Sequence, residues 1–215
     1  MSKTIDHPEC PVRSFMDDPN IKWRTKKPDF TIVDQKYLKE KIRSHKEGSL
    51  GKIVENLVKS WECESSHKVD AKDWGTVDHE NFAITVNGGR KLNLKSNIAM
   101  GNYLMFLEDS PLYDTTKVTN EEAQDSFKEC FPGGFAWEVL DVFSGPPTIA
   151  FTWRHWADYE GKFHGFEPTK ERIEVIGSAV ATVNADMKIS TFDIYYDPSP
   201  MLGKLYHGKC KFSQK

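Results

Sequence analysis

FAWEVLDVFS (135–144), TIAFTWRHWADY (148–159), RIEVIGSAVATV (172–183) and KISTFDIYY (188–196) follow one another with only short breaks. All four are rich in β-branched and aromatic residues, which favour a pleated, half-buried surface. The breaks carry turn residues: Gly145-Pro146-Pro147, the stretch from Gly161 to Pro168, and Asn184-Ala185-Asp186. Four long strands joined this way predict an antiparallel sheet. Each strand then offers one face to a core or pocket.

Working upstream, the period changes from two to 3.6. Ser49 is placed to cap a helix in which Leu50, Ile53, Val54, Leu57, Val58 and Trp61 form a core stripe. Helical arithmetic sets Glu64 inside that stripe, Glu62 well off it and His67 at its edge. A shorter helix is expected over 33–43. A strand over 80–86 leads through Asn87-Gly88-Gly89 into a hairpin ending near Leu94. A helix is expected over 94–107, and Thr119 with Glu122 makes a capping box for another through Phe127 and Cys130, ended by Phe131-Pro132-Gly133-Gly134. Residues 1–48 carry four prolines and little periodicity and are expected to be an arm packed on one domain, 49–215. The basic knot around Trp23 reads either as a solvated stretch with a packing anchor or as a contact to an anionic partner.

Composition narrows the function. The 215 residues are 38% hydrophobic and 28% charged with a net charge of −3, so one domain with a sizeable core is expected. A footprint for nucleic acid or an anionic membrane is not. No apolar run approaches the roughly 18 residues of a membrane-spanning helix, and the first residues lack a signal-peptide core. Cys10, Cys63, Cys130 and Cys210 are scattered without a CxxC pair, which fits reduced thiols in a cytoplasmic protein and predicts no metal site. There is no phosphate loop, GxSxG elbow or HExxH.

The chemistry is expected among the aromatics, ten of which lie between Phe131 and Phe166. In the second strand Ile149, Phe151, Trp153 and His155 share the more apolar face, while Arg154 and Trp156 share the other. Burial would keep His155 neutral. It is then either a core histidine with one backbone bond or a proton-transfer group. Simple alternation also places Asp141 inward with Trp137 and Val139. Asp193 lies opposite Phe192 and Ile194, and periodicity does not say which set faces in; a basic partner such as Arg172 or Arg154 is its bland alternative.

Four stretches, KWRTKKPDFTIVD (22–34), EGSLGKIVENLVKSWECESSHK (47–68), FPGGFAWEVLDVFSGPPTIAFTWRHWADYEGKFHGFEPT (131–169) and IEVIGSAVATVNADMKISTFDIYYD (173–197), resemble the pathogen-related proteins of plants and fungi. That family is placed in the SnoaL-like polyketide-cyclase group of the nuclear-transport-factor-like superfamily. The resemblance implies an α+β fold, a cone-shaped α+β barrel in which a strongly curved antiparallel sheet wraps helices around a cavity. It also implies chemistry without metal or organic cofactor, by pocket Asp, His and Tyr residues.

On that reading the protein is an isomerase, dehydratase or cyclase acting on a small hydrophobic polyketide or terpenoid-like metabolite. The alternative is a non-catalytic binding protein for such a molecule. His155 is the proton shuttle, with Asp141, Glu64 or Asp193 as base or orienting group. Tyr103 and Arg154 are donors, and Trp61, Trp137, Phe151 and Trp153 clamp the substrate. A homodimer is expected through the outer sheet face, where Arg154 and Trp156 would otherwise be exposed.

Overall fold

The computed structural model describes residues 7–107 and 112–207. Its elements, in order, are α1 (Thr31–Glu40), α2 (Leu50–His67), β1 (Ala83–Val86), β2 (Leu92–Asn93), α3 (Leu94–Met100), α4 (Asn102–Leu107), α5 (Asn120–Cys130), β3 (Ala136–Val142), β4 (Thr148–Asp158), β5 (Arg172–Val183), β6 (Ile189–Tyr196) and α6 (Ser199–Leu205). The six strands form one open, curved sheet in the order β2-β1-β6-β5-β4-β3. The fold is mixed α+β.

All strand pairs are antiparallel except β1 with β6, which run parallel. The sheet is thus not purely antiparallel as the sequence suggests. The parallel pair is possible because the whole α3–β5 stretch separates its members, far more than a tight turn.

Local chemistry sets the boundaries. The Ser49 hydroxyl accepts from Lys52 N and starts α2. The Thr119–Glu122 capping box starts α5. α1 stops at Glu40, three residues short of the expected end, because the Glu138 carboxylate accepts the backbone N–H groups of Ile42 and Arg43 and draws that segment out of the helix. The helix expected over 94–107 is broken in two at Gly101, whose φ is +75°. A β-carbon there would collide with the Asn120 side chain, so only glycine lets α3 and α4 meet around Asn120.

One face of the sheet packs on α2 and the later helices, with Trp61 edge-on to Phe192 at 5.0 Å. The other face is partly covered by α1, where Tyr37 packs on Ala136 and Trp156. This corrects the expected exposure of Arg154 and Trp156. Arg154 is 6% exposed and pairs with Glu138 at 2.9 Å and Glu174 at 2.7 Å. Trp156 is fully buried and donates to Glu40. The segment before α1 is tied down as well: Arg13 grips Asp34 with two bonds, and the basic knot is pinned to α2 and α3 through Arg24, whose backbone N–H reaches His67 O and whose guanidinium reaches Ile98 O. Cys10, Cys63 and Cys130 are buried free thiols; Cys210 lies outside the described residues.

Candidate functional site

A cavity of about 120 Å³ lies between the inner sheet face and helices α2, α4, α5 and α6. Its wall is mostly aromatic and aliphatic. β4 contributes Phe151, Trp153 and His155, β3 contributes Trp137, and β6 contributes Phe192, Ile194 and Tyr196. Strict alternation along β4 puts these three on one side and leaves Arg154 on the other. From α2 come Val58, Trp61, Glu62 and Ser66, and from α4 Asn102 and Tyr103.

The polar groups gather on the α2 and α4 side and at His155. Glu62 is a residue that sequence reasoning turned away from the interior. It forms an ion pair with Lys59 at 3.0 Å, and Lys59 in turn sits 5.3 Å from the Trp137 ring centroid. The Glu62 side chain keeps 34% of its surface accessible although protein surrounds it, because it forms part of the cavity wall. Burial, the largest single influence, raises its carboxyl; the charge and hydrogen bond of Lys59, together with His155 and Arg13, outweigh that and hold it below the usual carboxylate range. It is therefore ionised at neutral pH.

His155 is the counterpart. Burial pushes its imidazole down to about 3, Glu62 opposing and Lys59 reinforcing the effect. Its Nδ1 is buried without a hydrogen-bond partner, and its ring lies 3.6 Å from that of Phe135, centroid to centroid. Tyr103 stacks flat on Phe127 at 4.3 Å, and burial raises its phenol, so it stays protonated. The site at neutral pH therefore holds a carboxylate, a neutral imidazole and a phenol within an apolar wall.

Four residues expected at the site are elsewhere. Asp141 is exposed beside Arg43 at 3.6 Å. The β3–β4 register advances three residues on β3 (Val139 to Val142) against two on β4 (Trp153 to Phe151), a β-bulge that breaks the alternation and releases Asp141 to the outside. Asp193 is on the face opposite Phe192 and Ile194 and accepts from Thr85 Oγ1 at 2.6 Å rather than from an arginine. Glu64 is fully buried, as its stripe position implies, but in a separate lock: it pairs with Lys68 at 3.2 Å and accepts from Gly75 N, Thr76 N and Thr76 Oγ1. Arg154 is held under α1 by carboxylates, with no access to the cavity. Among the described residues no group of three or more His, Cys, Asp or Glu side chains could hold a metal ion.

Glu62 could have been found from spacing. Val58, Trp61, Glu62, Ser65 and Ser66 also repeat at helical intervals, but two serines and a carboxylate hide that face from a search for hydrophobic residues.

No family model matches the chain. It is 36% identical over 177 residues to the pathogen-related protein of Hordeum vulgare, an alignment covering 79% of this chain and 75% of that one. The chain belongs to the pathogen-related protein family. Among solved structures, this family member is similar to a protein described as a polyketide cyclase from Acidithiobacillus ferrooxidans, with 13% identity, a TM-score of 0.43, and 76% and 99% of the two chains covered. It is also similar to a Catenulispora acidiphila protein of ketosteroid isomerase-like fold in complex with trimethylamine, with 8% identity, a TM-score of 0.38, and 70% and 92% covered. Among the described residues of this pathogen-related protein no helix is long and apolar enough to cross a membrane.

Proposed function

We propose that the protein is an acid–base enzyme of the isomerase, dehydratase or cyclase type, acting on a small hydrophobic metabolite held in this cavity. The observation that supports it is a pair of groups in different charge states at neutral pH, an ionised Glu62 and a neutral His155, both on the wall of an apolar cavity. Glu62 removes a proton from a carbon or hydroxyl of the substrate. An apolar ligand entering the cavity excludes water from the carboxylate and strengthens it as a base. The neutral imidazole of His155 and the Tyr103 phenol donate to the oxygen on which negative charge develops, and the proton held by Glu62 returns to the product. Lys59 keeps Glu62 ionised between turnovers.

A carrier of hydrophobic molecules is the second reading, favoured by a wall built largely of carbon. The two readings part on proton transfer. A suitable probe is 5-nitrobenzisoxazole, in which removal of one C–H proton breaks the ring N–O bond and yields a coloured phenolate. The wild-type protein is expected to accelerate ring opening over buffer, and Glu62→Gln to lose that acceleration by about 10²-fold or more. Acceleration that survives in Glu62→Gln, or none in the wild type, overturns the catalytic reading.

The proposal includes a cytoplasmic homodimer. With Arg154 and Trp156 covered by α1, its contact shifts to the outer face of β5 and β6, where Ile176 and Tyr195 are 58% and 45% exposed. Light scattering at micromolar concentration should read twice the 24.6 kDa chain mass, and a particle of single mass removes this part.

A further inference from the structure

Besides His155, two residues of the cavity wall hold polar atoms that nothing among the described residues answers. Trp61 and Asn102 are 3% and 7% exposed, both line the cavity, and Trp61 Nε1 and Asn102 Oδ1 are buried without hydrogen-bond partners. One is an obligate donor, the other an obligate acceptor. The contrast with Trp156 is direct, since that indole N–H has its carboxylate.

The orientation of Asn102 is set by its neighbours. The Ser65 hydroxyl donates to Glu62 O at 3.2 Å, which leaves its lone pairs for Asn102 Nδ2 at 2.7 Å; Ser66 Oγ accepts from the same Nδ2 at 3.0 Å. With the amide nitrogen committed, Oδ1 is the free end. Trp61 and Ser65 are one helical turn apart on α2, so the unpaired donor and the residue carrying the unpaired acceptor are held by adjacent turns of one helix. A buried polar group left unpaired is a standing penalty that a bound partner removes.

We propose that Trp61 and Asn102 read the polar groups of the ligand, Trp61 Nε1 donating to a carbonyl oxygen and Asn102 Oδ1 accepting from a hydroxyl. The ligand class is then a small, neutral ring compound that carries both groups. Neutrality follows from Lys59, which already balances the one carboxylate of the cavity. Size follows from the volume: about 120 Å³ compares with the roughly 150 Å³ of an engineered protein cavity that holds benzene, so one ring fits. This inference rests on the proposal that the cavity is the working site, and it names what enters it.

The test is titration calorimetry of the full chain with five probes: meta-hydroxyacetophenone, para-hydroxyacetophenone, acetophenone, para-ethylphenol and ethylbenzene. The wild type should bind a hydroxyacetophenone isomer about tenfold tighter than either single-function probe, the usual scale for one well-made hydrogen bond, and ethylbenzene weakest. Trp61→Phe, which removes only the N–H and part of one ring, should erase the advantage of the ketone. Asn102→Leu should erase that of the hydroxyl. Ethylbenzene, which carries neither polar group, is the reference in each variant, and each advantage is read as the affinity ratio of a polar probe to ethylbenzene. Equal binding of all probes by the wild type, or an unchanged ranking in Trp61→Phe, overturns the inference. A wild type that ranks the probes as expected yet leaves nitrobenzisoxazole closed sinks the catalytic reading alone; a wild type that binds none of the probes sinks this one.

Discussion

Trp153 lies across Gly177: a β-carbon on Gly177 would come within 2.3 Å of indole Cζ2 and 2.7 Å of Tyr195 O. The two residues are paired between β4 and β5, and on the next strand Tyr196 pairs with Gly177 while its ring lies 5.6 Å from that of Trp153. The missing side chain makes the slot in which this wall of the cavity is seated. Gly177→Ala must therefore move either the indole or the β6 backbone. We expect a loss of about 1–3 kcal/mol in urea unfolding and a change in tryptophan emission. Unaltered stability and emission would show that the slot has slack.

His155 makes stability depend on acid. Its folded value of about 3 lies below the ordinary 6.5, so between these limits the unfolded chain takes up a proton that the native site refuses. Stability falls as pH drops from 6.5 towards 3, and the residue contributes no slope above that window. His67, pushed down by burial to about 4, acts in the same direction. His155→Gln removes one of these protons. Urea unfolding between pH 4 and 6 should show a shallower decline than the wild type, by about one proton, with the two slopes merging above pH 7.

The Glu64 lock predicts a stability defect with no direct part in ligand recognition. Glu64→Ala strands the Lys68 ammonium, which is fully buried and, among the described residues, otherwise bonded only to the carbonyls of Phe15 and Asp73. Removing one partner of a buried pair costs about 3–5 kcal/mol. Glu64→Gln keeps the shape and should cost less. Denaturation measures the first effect, and calorimetry with ethylbenzene at a temperature where the variant remains folded should give the wild-type affinity.

Arg154→Gln is expected to destabilise the chain and leave its association state unchanged. The guanidinium is the buried partner of Glu138, a fully buried carboxylate, and stacks 4.2 Å from the Trp156 ring centroid. Gel filtration that shows a shifted oligomer with an unchanged melting point would contradict this placement.

The four long strands and the face of β4 were readable because each residue type agrees with its alternate position, and Phe151, Trp153 and His155 share the inner side as the period requires. Asp141 was not, because a bulge leaves no mark in hydrophobic alternation. Glu62 was missed for a different reason. The cavity face of α2 is rotated from its most apolar stripe, and a site needs polar groups where a core does not. Arg154 looked exposed because its cover, α1, is distant in sequence. Local pattern reports which residues share a face, and only tertiary contacts report what lies over it.

The bulge in β3 also works as a parity switch. Strand residues are even or odd with respect to the cavity, and the extra residue between Val139 and Val142 exchanges the two classes from there on. Shortening the strand by Val142 alone would bring Asp141 opposite Phe151, adding a second carboxylate to an interior whose one negative charge is already matched by Lys59. Descendants of this chain could change the charge of the chamber without changing any side chain, by counting one residue fewer.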